Sequence, residues 1–77
     1  MNVVSVKSSG LVAIQVEDNP TRWLVFNGAM QVGVIKVTGA YDGELDGLHS
    51  LNTTKLRQAA NLIVKVARES RLMGVQW

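Results

Sequence analysis

The chain offers few side chains that could perform catalysis. His49 is its single histidine, and Ser50 follows it directly. A nucleophilic serine needs a base that is held beside it in space, and adjacency in sequence does not supply that geometry. We therefore interpret His49 as a residue of the connection that precedes a helix. The sequence predicts a protein that is not an enzyme and has no catalytic residue.

Three carboxylates, Asp42, Glu44 and Asp46, fall in the glycine-rich stretch GAYDGELDG, residues 39–47. Clustered carboxylates can bind calcium, but the ligand spacing and the closing glutamate of an EF-hand are missing. The chain has no cysteine, so thiolate ligands for zinc are absent as well. We predict no metal and no cofactor, and we interpret residues 39–47 as a solvent-exposed loop.

Two predicted β-hairpins precede this loop. In the first, apolar and polar residues alternate around Val4 and Val6 and again around Val12 and Ile14, as they do in strands with one buried face. The intervening residues 8–10, Ser-Ser-Gly, are a turn signal. With these residues as the loop, Val6 would face Val12 and Val4 would face Ile14.

The second predicted hairpin joins a strand over residues 22–26 to a strand over residues 29–38. Asn27-Gly28 between them favours the positive φ angles that a tight two-residue turn requires. Gly33 lies inside the second strand, where a glycine indicates a bulge, a bend or a close approach of another backbone.

Both faces of this hairpin are apolar in that register, although the chain is very short. One helix can cover only one face, so the other face would have to meet another chain or a ligand. One face would carry Trp23, Val25, Met30, Val32 and Val34, and the other Leu24, Phe26, Ala29, Ile35 and Val37.

Local signals mark both ends of a long C-terminal helix. Asn52 is a favourable N-cap, and Leu51 and Leu56 occupy the positions of a hydrophobic staple. Gly74 suits the position just past the last turn. We predict a helix over about residues 53–73, roughly 30 Å long at 1.5 Å per residue.

The apolar arc of this helix spans about 200°, well beyond the roughly 100° that one contact surface needs. We therefore expect it to touch both its own sheet and the same helix of a second subunit. A homodimer also suits a chain of 77 residues without cysteine, because small folds need support beyond their core. The predicted dimer interface comprises Leu56, Ala60, Ile63, Val64 and Ala67. The order ββββα predicts a single α+β domain over residues 1–77, a four-stranded antiparallel meander followed by one long helix.

The charges are divided unevenly along the chain. Residues 1–52 carry three cations and five acids, whereas residues 53–77 carry five cations and one acid. A basic C-terminal third can mark a nucleic-acid surface or the contact for an acidic protein, and it can equally be a solvated helix face. We see no signal peptide and no membrane-spanning run, so we expect a cytoplasmic protein with no membrane partner.

Cations and aromatic residues on a sheet can hold single-stranded nucleic acid through phosphate contacts and base stacking. Trp23 fits either a stacking platform or the core of the domain. The predicted binding residues, for nucleic acid or another partner, are Lys7, Arg22, Trp23, Lys36, Tyr41, Arg57, Lys65 and Arg68.

The strand order and two short motifs resemble the positive-cofactor-four type transcriptional coactivators and their bacterial and phage relatives. FNGA, residues 26–29, is similar to the equivalent turn, and GLHSLN, residues 47–52, resembles the segment that enters the helix, with one residue more. The resemblance implies a homodimer whose helices pair and whose curved sheet binds single-stranded DNA. Asp46 stands where that family has a lysine, and most of the basic charge lies on the helix. By position, the resemblance assigns Arg22 and Lys36 to the DNA track and Trp23 or Phe26 to stacking.

These observations predict a small homodimeric module that binds single-stranded DNA or RNA through a sheet face. The alternative is a protein inhibitor or accessory protein of the kind that phages encode, which binds a host protein complex such as a CRISPR complex. Its apolar sheet face, or the basic stripe of Arg57, Lys65 and Arg68, would then dock on that complex. A structural subunit of a larger assembly is a third interpretation.

Overall fold

A computed structural model describes residues 1–47 and 51–77. The described elements are β1 (Val3–Ser5), β2 (Leu11–Val16), β3 (Asn19–Asn27), β4 (Met30–Gly39), β5 (Asp42–Asp46) and α1 (Thr53–Leu72). The strands form one antiparallel sheet in the order β1-β2-β3-β4-β5, and α1 packs against it. The α+β class with one C-terminal helix is confirmed, whereas the prediction of four strands is wrong because the sheet has five.

The fifth strand lies within residues 39–47, which we had interpreted as a loop. Ile35 of β4 is opposite Leu45 of β5, and Leu45 is half-buried against the core. A Cβ at Gly43 would lie 3.0 Å from the Lys36 carbonyl oxygen and 3.2 Å from Cγ2 of Ile63. The glycine therefore lets α1 approach the sheet closely, and tertiary packing rather than strand propensity holds β5 in place.

The register of β3 and β4 also differs from the prediction. Asn27 is opposite Met30, so Gly28 and Ala29 form the turn instead of Asn27-Gly28. A β-bulge then shifts the pairing, and Val25 is opposite Gly33. A bulge was one of the three alternatives for Gly33, and it adds one residue to β4 relative to β3.

The bulge redistributes the apolar residues between the two faces of the sheet. The predicted faces are right for Trp23, Val25 and Val32 and for Leu24 and Phe26. They are wrong for Val34, Ile35 and Val37, because the extra residue in β4 inverts the alternation of the side chains that follow it. We call the side that packs on α1 the covered face; its buried residues on β3 and β4 include Trp23, Val25, Val32, Ile35 and Val37. We call the opposite side the open face; its half-buried apolar residues are Val12, Ile14, Leu24, Phe26 and Val34.

The first hairpin is displaced by one residue from its predicted register. Val4 is opposite Ala13, so it faces α1 and is not paired with Ile14. The cause is a tight turn around Ser9, whose Oγ donates to the Val6 carbonyl at 2.6 Å and accepts from the Leu11 N–H at 2.9 Å. These bonds satisfy a buried hydroxyl group and bring Leu11 directly into the core.

Both ends of α1 follow the local signals in the sequence. The Asn52 side chain accepts a hydrogen bond from the Lys55 N–H at 2.9 Å, as an N-cap does. At the other end the Val75 N–H donates to the Ser70 carbonyl at 2.9 Å, and the Gly74 N–H donates to the Arg71 carbonyl at 3.0 Å. This is a Schellman motif, and Gly74 adopts the φ of +77° that it requires.

The core lies between the covered face and α1. Trp23 is its largest fully buried side chain, and Leu62 and Val66 of α1 are also fully buried. The Trp23 indole N–H donates to Oγ of Ser70 at 3.2 Å, so each of these buried polar groups has a partner. This bond joins residues 47 positions apart and fixes the last turns of α1 on the sheet.

Candidate binding surfaces

The open face carries the cations predicted on strands. Arg22 of β3 and Lys36 of β4 are directly opposite each other, and both side chains are exposed. They line a depression of about 320 Å³ together with Val34 and Asp46. The structure therefore brings together two residues that the sequence placed on a common binding surface.

Acidic residues adjoin this cation pair. Lys36 is opposite Glu44, and Val34 is opposite Asp46, so both carboxylates lie on the open face at strand β5. The sequence predicts a loop for both residues and gives no sign of this position, because only the pairing of β5 reveals it. A phosphate backbone would meet near-zero net charge here, which disfavours a nucleic-acid track along this part of the sheet.

Trp23 cannot be a binding residue on this surface. Its side chain is fully buried on the covered face, so its indole offers no plane on which a base could stack. The stacking interpretation of Trp23 is therefore wrong, and the core interpretation holds. Phe26 is half-buried on the open face, and Tyr41 is 59% exposed in the turn between β4 and β5.

A second charged surface lies on the outward side of α1. We call it the basic face and define it by Arg57, Lys65, Arg68 and Arg71, all of them exposed. At 100° per residue, the three arginines lie within about 60° of one another around the helix. Arg71 was absent from the predicted binding residues, although the helical spacing of the sequence already places it beside Arg57 and Arg68.

The basic face and the open face lie on opposite sides of the molecule. Lys65 leans from α1 toward the edge strand β1, where its Nζ donates to the Ser5 carbonyl at 3.4 Å. Lys7 is exposed in the turn between β1 and β2. The predicted binding residues therefore do not form one surface, and Arg57, Lys65 and Arg68 are separated from Arg22 and Lys36 by the full thickness of the domain.

The predicted helix–helix interface is contradicted in part. Ala67 is fully buried within the chain and Ile63 is half-buried, so Ala67 is not available to a second subunit. Leu56 and Val64 are each 44% exposed, and Ala60 between them is exposed as well. The buried side of α1 is centred on Leu62, Val66 and Ser70. Ala60 and Val64 therefore lie away from that side of the helix.

A groove of about 440 Å³ runs between β1 and α1, and no sequence signal predicts it. Val3 and Leu72 give it two exposed apolar side chains, and its charged lining consists of Lys65, Arg68 and Glu69. The shortness of β1 leaves this side of α1 uncovered.

The remaining chemistry of the described residues is limited. Within residues 1–47 and 51–77, no three histidine, cysteine or acidic side chains are grouped so that they could hold a metal ion. None of the helices in that same part of the chain is long and apolar enough to cross a membrane. The predictions for His49 and Ser50, and part of the segment that resembles the coactivators, lie outside the described residues.

Comparison with known proteins finds no match to this chain among protein-family models, curated proteins or solved structures. The resemblance to the positive-cofactor-four type coactivators therefore stays a prediction. What the chain can bind has to be argued from its own surfaces.

Proposed function

We propose that this protein is a non-enzymatic module that binds nucleic acid through the basic face of α1. The observation that carries the proposal is the charge of this surface: Arg57, Arg68 and Arg71 are exposed along one side of the helix. Glu69 is the single acidic residue within α1, so the charge is hardly offset. The proposal keeps the class of ligand predicted from the sequence and moves its contact from the sheet to the helix.

The spacing of the arginines suits contact with a phosphate backbone. Arg57 and Arg71 are 14 residues apart along α1, which is about 21 Å at 1.5 Å per residue. That distance covers several successive phosphates, and guanidinium groups can bind phosphate oxygens in bidentate fashion. The basic face has no exposed aromatic side chain within α1, so backbone contacts rather than base stacking would supply the affinity.

The charge on the other side of the molecule favours the same orientation. Glu44 and Asp46 are exposed on the open face, away from α1. A polyanion would gain little from that side, where Glu44 and Asp46 offset Arg22 and Lys36, whereas the basic face would attract it, so encounters would be steered helix first.

Salt-dependent binding tests the proposal. The probes are fluorescently labelled single-stranded and duplex oligonucleotides, and the measurement is fluorescence anisotropy of the full chain over a series of salt concentrations. Three arginine–phosphate contacts predict a slope of about −3 in log K against log salt for duplex DNA. The double variant Arg57→Ala/Arg68→Ala should reduce that slope by about 2 units.

A matched control removes two cations from the other side of the molecule. Arg22→Ala/Lys36→Ala changes the net charge by the same amount, and we expect it to leave the slope nearly unchanged. If both double variants weaken binding equally, contact is not made by the basic face. If oligonucleotides of either type fail to bind at low salt, the nucleic-acid proposal is wrong.

Ile14, Leu24 and Val34 lie side by side on the open face, and this apolar group favours a second candidate function. Partly exposed apolar side chains grouped on one face are typical of a protein contact. An inhibitor or accessory protein that binds a host protein complex, as some phages encode, would use such a surface. If the protein has this second function instead, it would show no affinity for oligonucleotides in the anisotropy measurement. The cytoplasmic location that we expect from the sequence suits both candidates and stays a prediction.

A further inference from the structure

The open face has the composition of a contact surface. Ile14, Leu24 and Val34 lie side by side on β2, β3 and β4 and form its apolar centre. They are half-buried by their own neighbours, since α1 packs on the covered face. Charged side chains lie to one side of this centre, on β3, β4 and β5. An apolar centre with a charged margin is the usual anatomy of a protein–protein interface.

The charged margin consists of two cations, Arg22 and Lys36, and two acids, Glu44 and Asp46. Arg22 lies two residues along β3 from Leu24, and Asp46 lies one strand across from Val34. Lys36 of β4 is paired with Glu44 of β5. Around the apolar centre, this pair lies between Arg22 and Asp46. A line that runs from the apolar centre outward between Lys36 and Glu44 therefore has both cations on one side and both acids on the other.

We propose that the open face joins two copies of this chain, sheet against sheet, about a two-fold axis along that line. Such an axis places the apolar centre of each copy on that of the other and exchanges the two sides of the line. Arg22 then faces the partner's Asp46, and Lys36 faces the partner's Glu44, so each contact occurs twice. Stacked sheets lie about 10 Å apart, a gap that opposed long side chains can bridge.

The surface fits a second copy better than a partner of one charge. A purely acidic or purely basic partner would set like charges against two of the four side chains, whereas a second copy matches all four. The size of the chain agrees, because a domain of 77 residues buries a small core and gains from association. The basic face of α1 stays on the outside of both copies, so this inference does not depend on the proposed function.

Charge reversal tests the interface, with mass measured by size-exclusion chromatography and light scattering over a dilution series. The unchanged chain should approach twice its 8.4 kDa at high concentration. Arg22→Glu and Asp46→Lys should each raise the dissociation constant at least about tenfold, because symmetry repeats the like-charge contact twice. An equimolar mixture of the two variants should recover the dimer, since a mixed pair has opposite charges at both contacts.

These variants are chosen so that they fold. Within one chain Arg22 is opposite Lys36, so a glutamate at position 22 gains an opposite charge, and Asp46 is opposite the uncharged Val34. Circular dichroism checks the fold of each variant, and Arg57→Glu on the basic face is the matched control for Arg22→Glu, with the same change in charge. A monomeric unchanged chain at every concentration overturns the proposal, as does a mixture that stays monomeric. A dimer that survives both reversals but is broken by Val64→Glu would place the interface on α1 and would also overturn it.

Discussion

The two faces of the sheet differ although they share the same strands. Trp23 and Val25 on the covered face are fully inaccessible to solvent, whereas Leu24 and Phe26, which alternate with them along β3, are only half-buried. Strand composition cannot cause this difference, since both sets are large and apolar. The cause is α1, which supplies Leu62 and Val66 to one side of the sheet. The covered face therefore supplies the core of the single chain, and the open face is the side on which we propose association.

Polar groups divide between the faces in the same way. On the α1 side, the buried hydroxyl groups of Ser9 and Ser70 have hydrogen-bond partners, whereas the buried Oε1 of Gln58 has none among the described residues. On the open face, one row across the strands is charged and exposed, with the cations Arg22 and Lys36 followed by the acid Glu44. Buried neutral groups fix one packing arrangement, whereas exposed charges can select a partner and its orientation.

The largest expected effect comes from removing the centre of the covered face. Trp23→Ala deletes the largest fully buried side chain, and substitutions of this kind cost about 3–5 kcal/mol through lost burial and the cavity left behind. We expect most of the stability of so small a domain to be lost. The free energy of unfolding in urea, followed by circular dichroism, measures the change.

Leu24→Ala is the matched control for that variant on the open face. Leu24 is the next residue of the same strand and is half-buried, so its truncation leaves no enclosed cavity. If Trp23→Ala and Leu24→Ala lowered the free energy of unfolding equally, the two faces would contribute equally to the stability of the monomer, and the difference between them would be disproved.

A smaller effect is expected at the hydrogen bond between α1 and the covered face. Ser70→Ala leaves the buried indole N–H of Trp23 without a partner, at a cost of about 1–3 kcal/mol. Alanine is also a better helix former than serine, which offsets part of that cost. The control is the same substitution in a Trp23→Phe background, where no N–H remains and the loss should disappear. A similar loss in both backgrounds, measured by urea unfolding, would show that the hydrogen bond contributes nothing.

The sequence predicted α1 well because the signals that define a helix are local. Asn52 and Gly74 act within one turn of their own positions, and the observed helix ends at Leu72, one residue before the predicted end. Which side of the helix is buried could be predicted only roughly. The arc of apolar residues was too wide to identify its centre, and Ala60 and Val64 proved exposed.

The sheet was predicted less well because its register depends on single residues. One bulge opposite Val25 moved Ile35 and Val37 to the covered face and Val34 to the open face. Strand β5 has Leu45 as its single large apolar residue, so no alternation revealed it. The charged margin of the open face was missed for the same reason, since Glu44 and Asp46 acquire their positions only through pairing with β4.

The C-terminal end of α1 depends on the backbone conformation of Gly74. Gly74→Ala places a Cβ at a φ of +77°, a left-handed conformation that costs an L-residue about 1 kcal/mol, although no atom lies within 4 Å of the new carbon. The melting temperature should fall accordingly. Gly39→Ala is the control, because its Cβ would make only an ordinary 3.7 Å contact with Asp42. A fall of the same size at Gly39 would rule out backbone strain as the reason.

The smallest expected effects come from the same substitution, isoleucine to valine, made once on each face of the sheet. Ile35→Val on the covered face removes a fully buried methylene group and should cost about 1 kcal/mol. Ile14→Val on the open face should cost less than about 0.5 kcal/mol in dilute solution, because Ile14 is only half-buried. Urea unfolding at increasing protein concentration then sharpens the comparison. Dimerisation through the open face adds a concentration-dependent loss to Ile14→Val and none to Ile35→Val. If the loss of unfolding free energy is independent of protein concentration for both variants, the open face stays in contact with solvent.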